Sequence, residues 1–567
     1  MKVSHRHLPA GLLVSCCIVA PCLAQDPSAR TPGVNLGGGV LNYDNSSLVF
    51  ADLIKGSGTF NGFRGVSPTP AYDPSGWPSR VDALTGSTTL VVGLNANLPA
   101  GIYTLTAKGV GKIRLSGGFD GKTWQEVVFN GDELPRTVFR PYAGVTWNSV
   151  IFLEITQSSA SNHLRDISFV MPNHIGKTFY DGFLDDLKPF STLRFMDWQA
   201  TNGSTQVDWT DRDSQKFSYY LRKRVNEEVA CELANTIYRD IWISIPAMAS
   251  DDYVRRLARL IDLNLAPYLR IYVEFSNEVW NNAFPQYSQL KALRLQDSQR
   301  LAGDWEWIAH RDGRLVNLFK ANLSPDRECI RVLARQAGYP ATLTVALKQY
   351  RADGYQFDAL SCAGYFVSKA NLNTATTLYK TNPAEAITSV INGMYGSMSE
   401  ALTQISWYKS MADVNGVPLV LYEAGQHLNN SQNNASTSLL MDVNRDSRMG
   451  LAYTYFIDSL PESLGGICWY NDAGTYSKWG CWGLKEKTGQ SLSTAHKYRA
   501  VIARSSLVQI PPPPAPSATY AGFSAMPGFD NLGLSTSHEI PPANFNVESF
   551  GGFNVEGLQQ MVTEDQR

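Results

Sequence analysis

Residues 271–280 read Ile-Tyr-Val-Glu-Phe-Ser-Asn-Glu-Val-Trp. The run opens with β-branched and aromatic residues, which suit a strand. Side chains alternate along a strand, so Tyr272, Glu274, Ser276 and Glu278 are expected on one face. Two carboxylates on one face of an apolar strand need a partner or a function, because a buried charge is costly. Glu278 stands where the strand pattern stops, and Asn277 beside it carries an amide able to bind a hydroxyl or orient an acid. A second reading is open at this point: Asn and Glu both favour the first turn of a helix.

Working outward, a second glutamate ends an apolar run at Pro418-Leu-Val-Leu-Tyr-Glu-Ala-Gly, where alternation puts Leu419, Leu421 and Glu423 on one face. From residue 179 strand-like and helix-like patterns alternate, as in a parallel α/β domain. The strand series is 191–198, 240–247, 271 onward, 328–334, 359–366, 417–423 and 466–470, with helices expected over 217–238, 252–263 and 386–411. Adding 33–36 as the first strand gives eight, the number that closes a (β/α)8 TIM barrel with its working rim at the C-terminal strand ends. The run that follows, Leu48-Val-Phe-Ala-Asp-Leu-Ile, is expected to be the first helix. Between the first two barrel strands the period changes to two. Seven short strand patterns separated by turn signals over residues 89–172 predict an inserted β-sandwich. A carbohydrate-binding module and a purely structural one are both open readings of that block. The expected division is 1–24, 25–60 with the first barrel strand and helix, 89–172, 175–508 for the rest of the barrel, and a Pro/Gly-rich tail over 509–567.

Composition narrows the function classes. The chain has 567 residues, net charge −2 and 18% charged residues, with no basic face that would suit nucleic acid. Aromatics reach 11%, including 13 Trp and 26 Tyr, an excess that suits stacking on the apolar faces of sugar rings. Lys2, His5, Arg6 and His7 precede an apolar stretch and then Cys22-Leu-Ala24, the pattern of an export signal cleaved after Ala24. Leu13-Val-Ser-Cys16 offers a competing lipoprotein reading at Cys16. No later stretch is long and apolar enough to span a bilayer. The mature chain keeps Cys231, Cys329, Cys362, Cys468 and Cys481; Cys468 and Cys481 are the best-placed pair for a disulfide, and five buried thiols are the alternative. The histidines His163, His174, His310, His427, His496 and His538 have no metal-ligand spacing, and there is no phosphate loop, so no cofactor is expected.

Two glutamates at the C-terminal ends of parallel strands can face each other across a barrel mouth. Glycoside hydrolysis with retention needs that pair, with its two carboxyls about 5–5.5 Å apart: one protonates the leaving oxygen and the other attacks the anomeric carbon. The phrases Ser276-Asn-Glu278 and Leu421-Tyr-Glu423, with Arg194, Tyr365 and Trp469, resemble clan A glycoside hydrolases over residues 33–54 and 179–503. Leu193-Arg-Phe-Met-Asp-Trp198 and Tyr272-Val-Glu-Phe-Ser-Asn-Glu-Val-Trp-Asn281 look like a poorly characterised secreted branch with a β-insertion. The resemblance implies Glu278 as acid/base, Glu423 as nucleophile and Asn277 on the sugar 2-hydroxyl. It further implies that Arg194 keeps Glu423 ionised, Tyr365 donates to Glu423, and Trp469 floors the sugar subsite. Trp198 and the loop residue His427 join the expected substrate-binding set. At Pro246-Ala247 the resemblance implies a His lining the site, and Ala247 cannot hydrogen-bond there. The expected function is a secreted retaining hydrolase of a β-linked glycan, against a non-catalytic carbohydrate-binding or surface-structural protein on the same scaffold.

Overall fold

The computed structural model describes residues 32–38, 46–58, 61–62, 71–82, 88–91, 98–119, 122–131, 134–140, 151–212, 224–297 and 303–504. The expected export signal and the Pro/Gly-rich tail lie outside the described residues.

Eight parallel strands close into a barrel. In order they are Pro32–Asn35, Thr192–Arg194, Asp240–Ile245, Ile271–Phe275, Cys329–Ala334, Ala359–Phe366, Leu419–Gln426 and Gly466–Trp469. The first pairs with the eighth, Gly33 opposite Cys468, which completes the ring. Gly33 is required there, since an added Cβ would stand 2.6 Å from Cys468 Sγ.

The third strand shows why these sequences read as almost unbroken apolar runs. Parallel strands are covered on both faces. Ile241, Ile243 and Ile245 face the cluster shared with the surrounding helices, while Trp242 belongs to the cluster inside the barrel with Tyr272, Val332, Val420 and Tyr422. Helices such as Glu227–Ile237, Asp251–Asn264, Asp304–Lys320, Ala341–Asp353 and Pro383–Val414 connect the strands. The helix after the third strand starts where Ser250 Oγ accepts from the Tyr253 amide, and its Tyr253, Val254, Leu257, Ala258 and Ile261 are buried.

Between the first two barrel strands in the chain lie two antiparallel sheets. One has five strands, Asn61–Gly62, Thr88–Val91, Val110–Phe119, Lys122–Asn130 and Phe152–Ser158; the other has three, Gly101–Lys108, Arg136–Arg140 and Arg165–Val170. Residues of both, including Tyr103, Leu105, Leu115, Phe129, Leu153 and Phe169, share one buried cluster.

The expected helix over Leu48–Ile54 does not form. Phe50 and Asp52 make single antiparallel bridges to Phe179 and Val170, a turn begins at Leu53, and the backbone bonds to neighbouring chain: Ala51 N–H to Thr178 O, Leu53 N–H to Phe169 O, and Tyr180 N–H to Val49 O. An apolar run this short carries no helical period, and the neighbouring chain supplies its backbone partners. The connection after the second strand also differs: helix appears at Glu227–Ile237, and the earlier part of the expected 217–238 span falls partly outside the described residues. All five cysteines of the described chain are buried and unbonded, Cys468 and Cys481 among them.

Candidate active site at the barrel mouth

The fourth strand ends at Phe275, and the chain then kinks. Ser276 and Glu278 take positive φ values of 55° and 37°, unfavourable for residues with a Cβ. The kink is held from several sides. Ser276 N–H donates to Ile245 O at 2.8 Å, Gln286 Nε2 to Asn277 O at 2.8 Å, and Asn281 N–H to Glu278 O at 2.8 Å. A backbone strained by about 1–3 kcal/mol per residue persists only when its surroundings over-determine it, and such positions cluster at functional sites. Glu278 therefore reaches the mouth through the kink rather than through strand alternation. Its Oε1 accepts from Tyr422 Oη at 2.9 Å and its Oε2 from Asn281 Nδ2 at 2.9 Å.

The seventh strand carries a different device. Leu419 and Leu421 pack outward against the helices, while Val420 and Tyr422 belong to the barrel interior. Simple alternation would then send Glu423 outward. Instead the pairing with the sixth strand steps from Cys362↔Leu421 to Ala363↔Glu423, leaving Tyr422 as an extra residue. A bulge of this kind re-aims the side chains that follow it, and Glu423 joins Tyr422 on the inside. Two residues later Gly425 sits at φ 134°, with Tyr453 Oη 2.8 Å from where a Cβ would lie.

Arg194 ties the two strands together from the second. It is fully buried, and its five N–H donors are all used. Nε and Nη2 reach Glu274 Oε2 at 3.2 and 3.0 Å; Nη1 reaches Asn35 Oδ1 and Glu423 Oε1, each at 2.8 Å; Nη2 also reaches Asn277 Oδ1 at 2.9 Å. Trp242 Nε1 adds a bond to Glu274 at 2.8 Å. Tyr365 Oη donates to the second oxygen of Glu423 at 2.7 Å.

These contacts set the charge state of Glu423. Burial is the largest influence and raises its pKa; Arg194 opposes it, Glu278 adds to it, and Tyr365 lowers it, leaving about 7. Burial also lifts the Tyr365 and Tyr422 phenols well above their usual range, with Glu423 and Glu278 adding to the rise, so both remain proton donors.

The expected site residues thus fall into two groups. Arg194, Asn277, Glu278, Tyr365 and Glu423 converge in one hydrogen-bonded cluster. His427 stands beside it, its ring 5.2 Å from that of Tyr365 and 5.7 Å from that of Trp482. Trp469 and Trp198 do not join it. Trp469 is 2% exposed and packs on Tyr453; Trp198 is 1% exposed among Phe50, Phe183 and Phe195, its Nε1 donating to Gly37 O. Both lie in the layer between barrel and helices, so neither offers a ring face to a ligand. Ala247 is buried, and its carbonyl accepts from Arg311 Nε at 3.0 Å.

The sequence reading missed Tyr470, the residue after Trp469. Its hydroxyl lies 3.3 Å from Asp197 Oδ2, its ring meets that of Trp482, and the Asp197 carboxylate, burial and then Glu423 raise its pKa. Asp197 is half-buried, and burial raises its carboxyl to about 6 against the pull of Arg194 and Tyr470. Glu274, Asn35 and Tyr422 were also missed as site members. The signal for Tyr470 was the strand phase: if Trp469 faces the helices, its neighbour faces the mouth. On the other side an open cleft of 390 Å³ is lined by Glu278, Trp280, Asn281, Gln336, Tyr365 and Tyr422 among others. Among the described residues no group of three His, Cys, Asp or Glu could hold a metal, and no helix is long and apolar enough to cross a membrane.

Comparison with known proteins adds fold-level neighbours. No family model matches the chain, and no curated protein sequence matches it. Among solved structures, the N-terminal endo-1,4-β-D-xylanase of Clostridium thermocellum (CBM22-1–GH10 modules with xylohexaose) aligns at 11% identity and TM-score 0.31, covering 83% of this chain and 98% of that one. The GH39 enzyme of Xanthomonas axonopodis pv. citri aligns at 13% identity and TM-score 0.34, covering 57% of this chain and 63% of that one. A family 51 α-L-arabinofuranosidase of Bifidobacterium longum aligns at 12% identity and TM-score 0.34, covering 54% and 63%. The chain thus spans less than two thirds of the last two proteins. The barrel itself is established by this chain's own strand order.

Proposed function

We propose that this protein is an exported retaining glycoside hydrolase that cleaves β-glycosidic bonds by double displacement. The observation that carries the reading is the pair of glutamates at the mouth, each held by its own donors: Glu278 by Tyr422 and Asn281, Glu423 by Arg194 and Tyr365. Glu423 has the surroundings of a nucleophile. A cation and a phenol stabilise its anion, while burial keeps that anion poorly solvated and reactive. Glu278, at the edge of the open cleft, has the surroundings of an acid/base that meets a leaving group and then a water.

In this reading Glu278 protonates the glycosidic oxygen as Glu423 attacks the anomeric carbon. A glycosyl–Glu423 ester forms, the leaving alcohol departs through the cleft, and Glu278 then deprotonates the incoming water. Asn277 faces the sugar 2-hydroxyl with its amide, Arg194 fixes Glu423 and Asn277 together, and His427 lines the wall. Tyr470, rather than the covered Trp469, is the aromatic contact for the sugar. The proposed organisation keeps a cleaved signal over 1–24, the first barrel strand within 25–60, an inserted β-sandwich over 89–172 that Asn61–Gly62 and Thr88 join, the rest of the barrel over 175–508, and a linker-like tail over 509–567.

The test is release of sugar from a panel of β-glycans by the purified protein, with Glu278→Gln and Glu423→Gln as controls. Turnover abolished by both substitutions is expected. Glycan binding without turnover across the panel would instead assign a carbohydrate-binding protein on a hydrolase scaffold.

A further inference from the structure

The five-stranded antiparallel sheet has one face in the buried cluster and one in solvent. Val127, Phe129, Leu153 and Ile155 point inward. On the outer face, cross-strand pairing lines up residues from three adjacent strands. Ser116 stands between Trp124 and Phe152, and in the next row Arg114 stands between Glu126 and Glu154. Trp124 is 51% exposed, a large apolar area for a residue on a sheet surface. Phe152 is half-buried.

We propose that this face is a glycan-binding surface, separate from the barrel mouth, that takes a neutral polysaccharide chain. Trp124 and Phe152 are two strand spacings apart, about 9.5 Å, and among the described residues Ser116 is the one paired between them. The row therefore forms a floor with an aromatic platform at each end and a hydroxyl in the middle, matched to successive pyranose rings lying across the strands. Arg114 lies over the Trp124 ring at 5.1 Å from its centroid and so holds the indole in place, which lowers the ordering cost of binding.

The flanking row supplies polar edges. Arg114 pairs with Glu154 at 3.2 Å, and Lys112 with Glu126 at 3.5 Å. Two cations and two carboxylates leave the patch with no net charge. Such a face has nothing to attract a polyanion or a basic peptide, and it offers planar donors and acceptors to hydroxyls.

The experiment is affinity electrophoresis of full-length protein carrying Glu423→Gln, so that the matrix is not consumed. Gels contain soluble mixed-linkage β-glucan, xylan, glucomannan or, as an anionic control, polygalacturonate. Retardation by at least one neutral glycan is expected. Trp124→Ala should weaken it on the order of tenfold or more, as for a truncated aromatic anchor, and Phe152→Ala should weaken it less. With Glu423 restored, Trp124→Ala should leave hydrolysis of small aryl glycosides unchanged, since those need only the barrel. The proposal is overturned if no neutral glycan retards the protein, or if retardation survives Trp124→Ala in a protein with an unchanged melting temperature. It is equally overturned if Trp124→Ala changes the sedimentation coefficient from oligomer to monomer, which would make the face a contact between copies of the chain. The retardation and sedimentation outcomes do not depend on the proposed hydrolysis; only the aryl-glycoside comparison rests on it.

Discussion

Tyr422 and Glu423 are consecutive in the chain, yet both side chains enter the barrel: Tyr422 donates to Glu278 at 2.9 Å and Glu423 accepts from Arg194 at 2.8 Å. Strict alternation forbids that arrangement, and the bulge at Tyr422 permits it. The bulge places a proton donor for one carboxylate directly beside the other carboxylate. One local irregularity thereby links the fourth and seventh strands across the mouth.

Tyr422→Phe tests that link. The phenyl ring still fills the barrel interior, so the melting temperature should stay close to the starting protein's. Losing a hydrogen bond to a charged group costs about 1.5–3 kcal/mol, or roughly ten- to a hundredfold in rate. The loss should fall on kcat for substrates with poor leaving groups, because Tyr422 acts through Glu278. Equal losses for poor and activated leaving groups would assign Tyr422 a role independent of Glu278.

The pH profile follows from Glu423. Its carboxyl titrates near 7, raised by burial and Glu278 and lowered by Arg194 and Tyr365. Attack needs the anion, which is present above that value and protonated below it. With an activated aryl glycoside, kcat/KM should therefore fall about tenfold per pH unit below roughly 7. Glu278→Gln removes a like charge beside Glu423, so the acid limb should move to lower pH. An acid limb that stays fixed in Glu278→Gln would show that the two carboxyls do not interact.

Much of the barrel was legible because its parallel strands are short apolar runs at regular intervals. The observed strand at Ala359–Phe366 coincides with its expectation, and the others differ by a few residues at their ends. What the pattern could not carry was phase. Period-two reasoning placed Glu423 with Leu419 and Leu421, whereas those leucines face the helices and only the bulge brings Glu423 inside. It also selected Trp469 over Tyr470, since a tryptophan at a strand end looks like a platform until its facing is known. The role of Glu274 was half legible. Two acidic side chains on one strand demanded an explanation, and the partner that supplies it, Arg194, comes from eighty residues away in the chain.

Arg194 serves Glu274 as well as Glu423, which changes what its removal should do. Arg194→Ala leaves Glu274, 2% exposed, without its cation. Breaking such a buried pair costs about 3–5 kcal/mol, so this variant should melt well below the starting protein as well as lose activity. Arg194→Met combined with Glu274→Gln removes both charges and should recover much of that stability. Full activity should not return, because Glu423 still lacks the cation that favours its anion, and the acid limb of the residual turnover should move to higher pH. If the double variant regains full turnover, Arg194 is a structural partner of Glu274 and nothing more.

The stereochemistry of the first product bears on the mechanism as a whole. Glu423 is held by Arg194 on one oxygen and by Tyr365 on the other, a grip suited to an anion that attacks rather than one that activates water. A covalent glycosyl–Glu423 ester therefore predicts a β-configured product from a β-linked substrate, read by proton NMR before mutarotation. Glu423→Gly should abolish ester formation, and added azide should fill the space and give the α-glycosyl azide. Glu278→Gly should slow substrates with poor leaving groups far more than activated aryl glycosides, which need little protonation to depart. Azide there should capture the ester on the same face as water, giving the β-glycosyl azide. An α-configured product from the unmodified enzyme would mean direct displacement by water, with Glu423 as its base and the two carboxyls about 6.5–9.5 Å apart. That single result would overturn the assignment of Glu423 as nucleophile while leaving the pair itself catalytic.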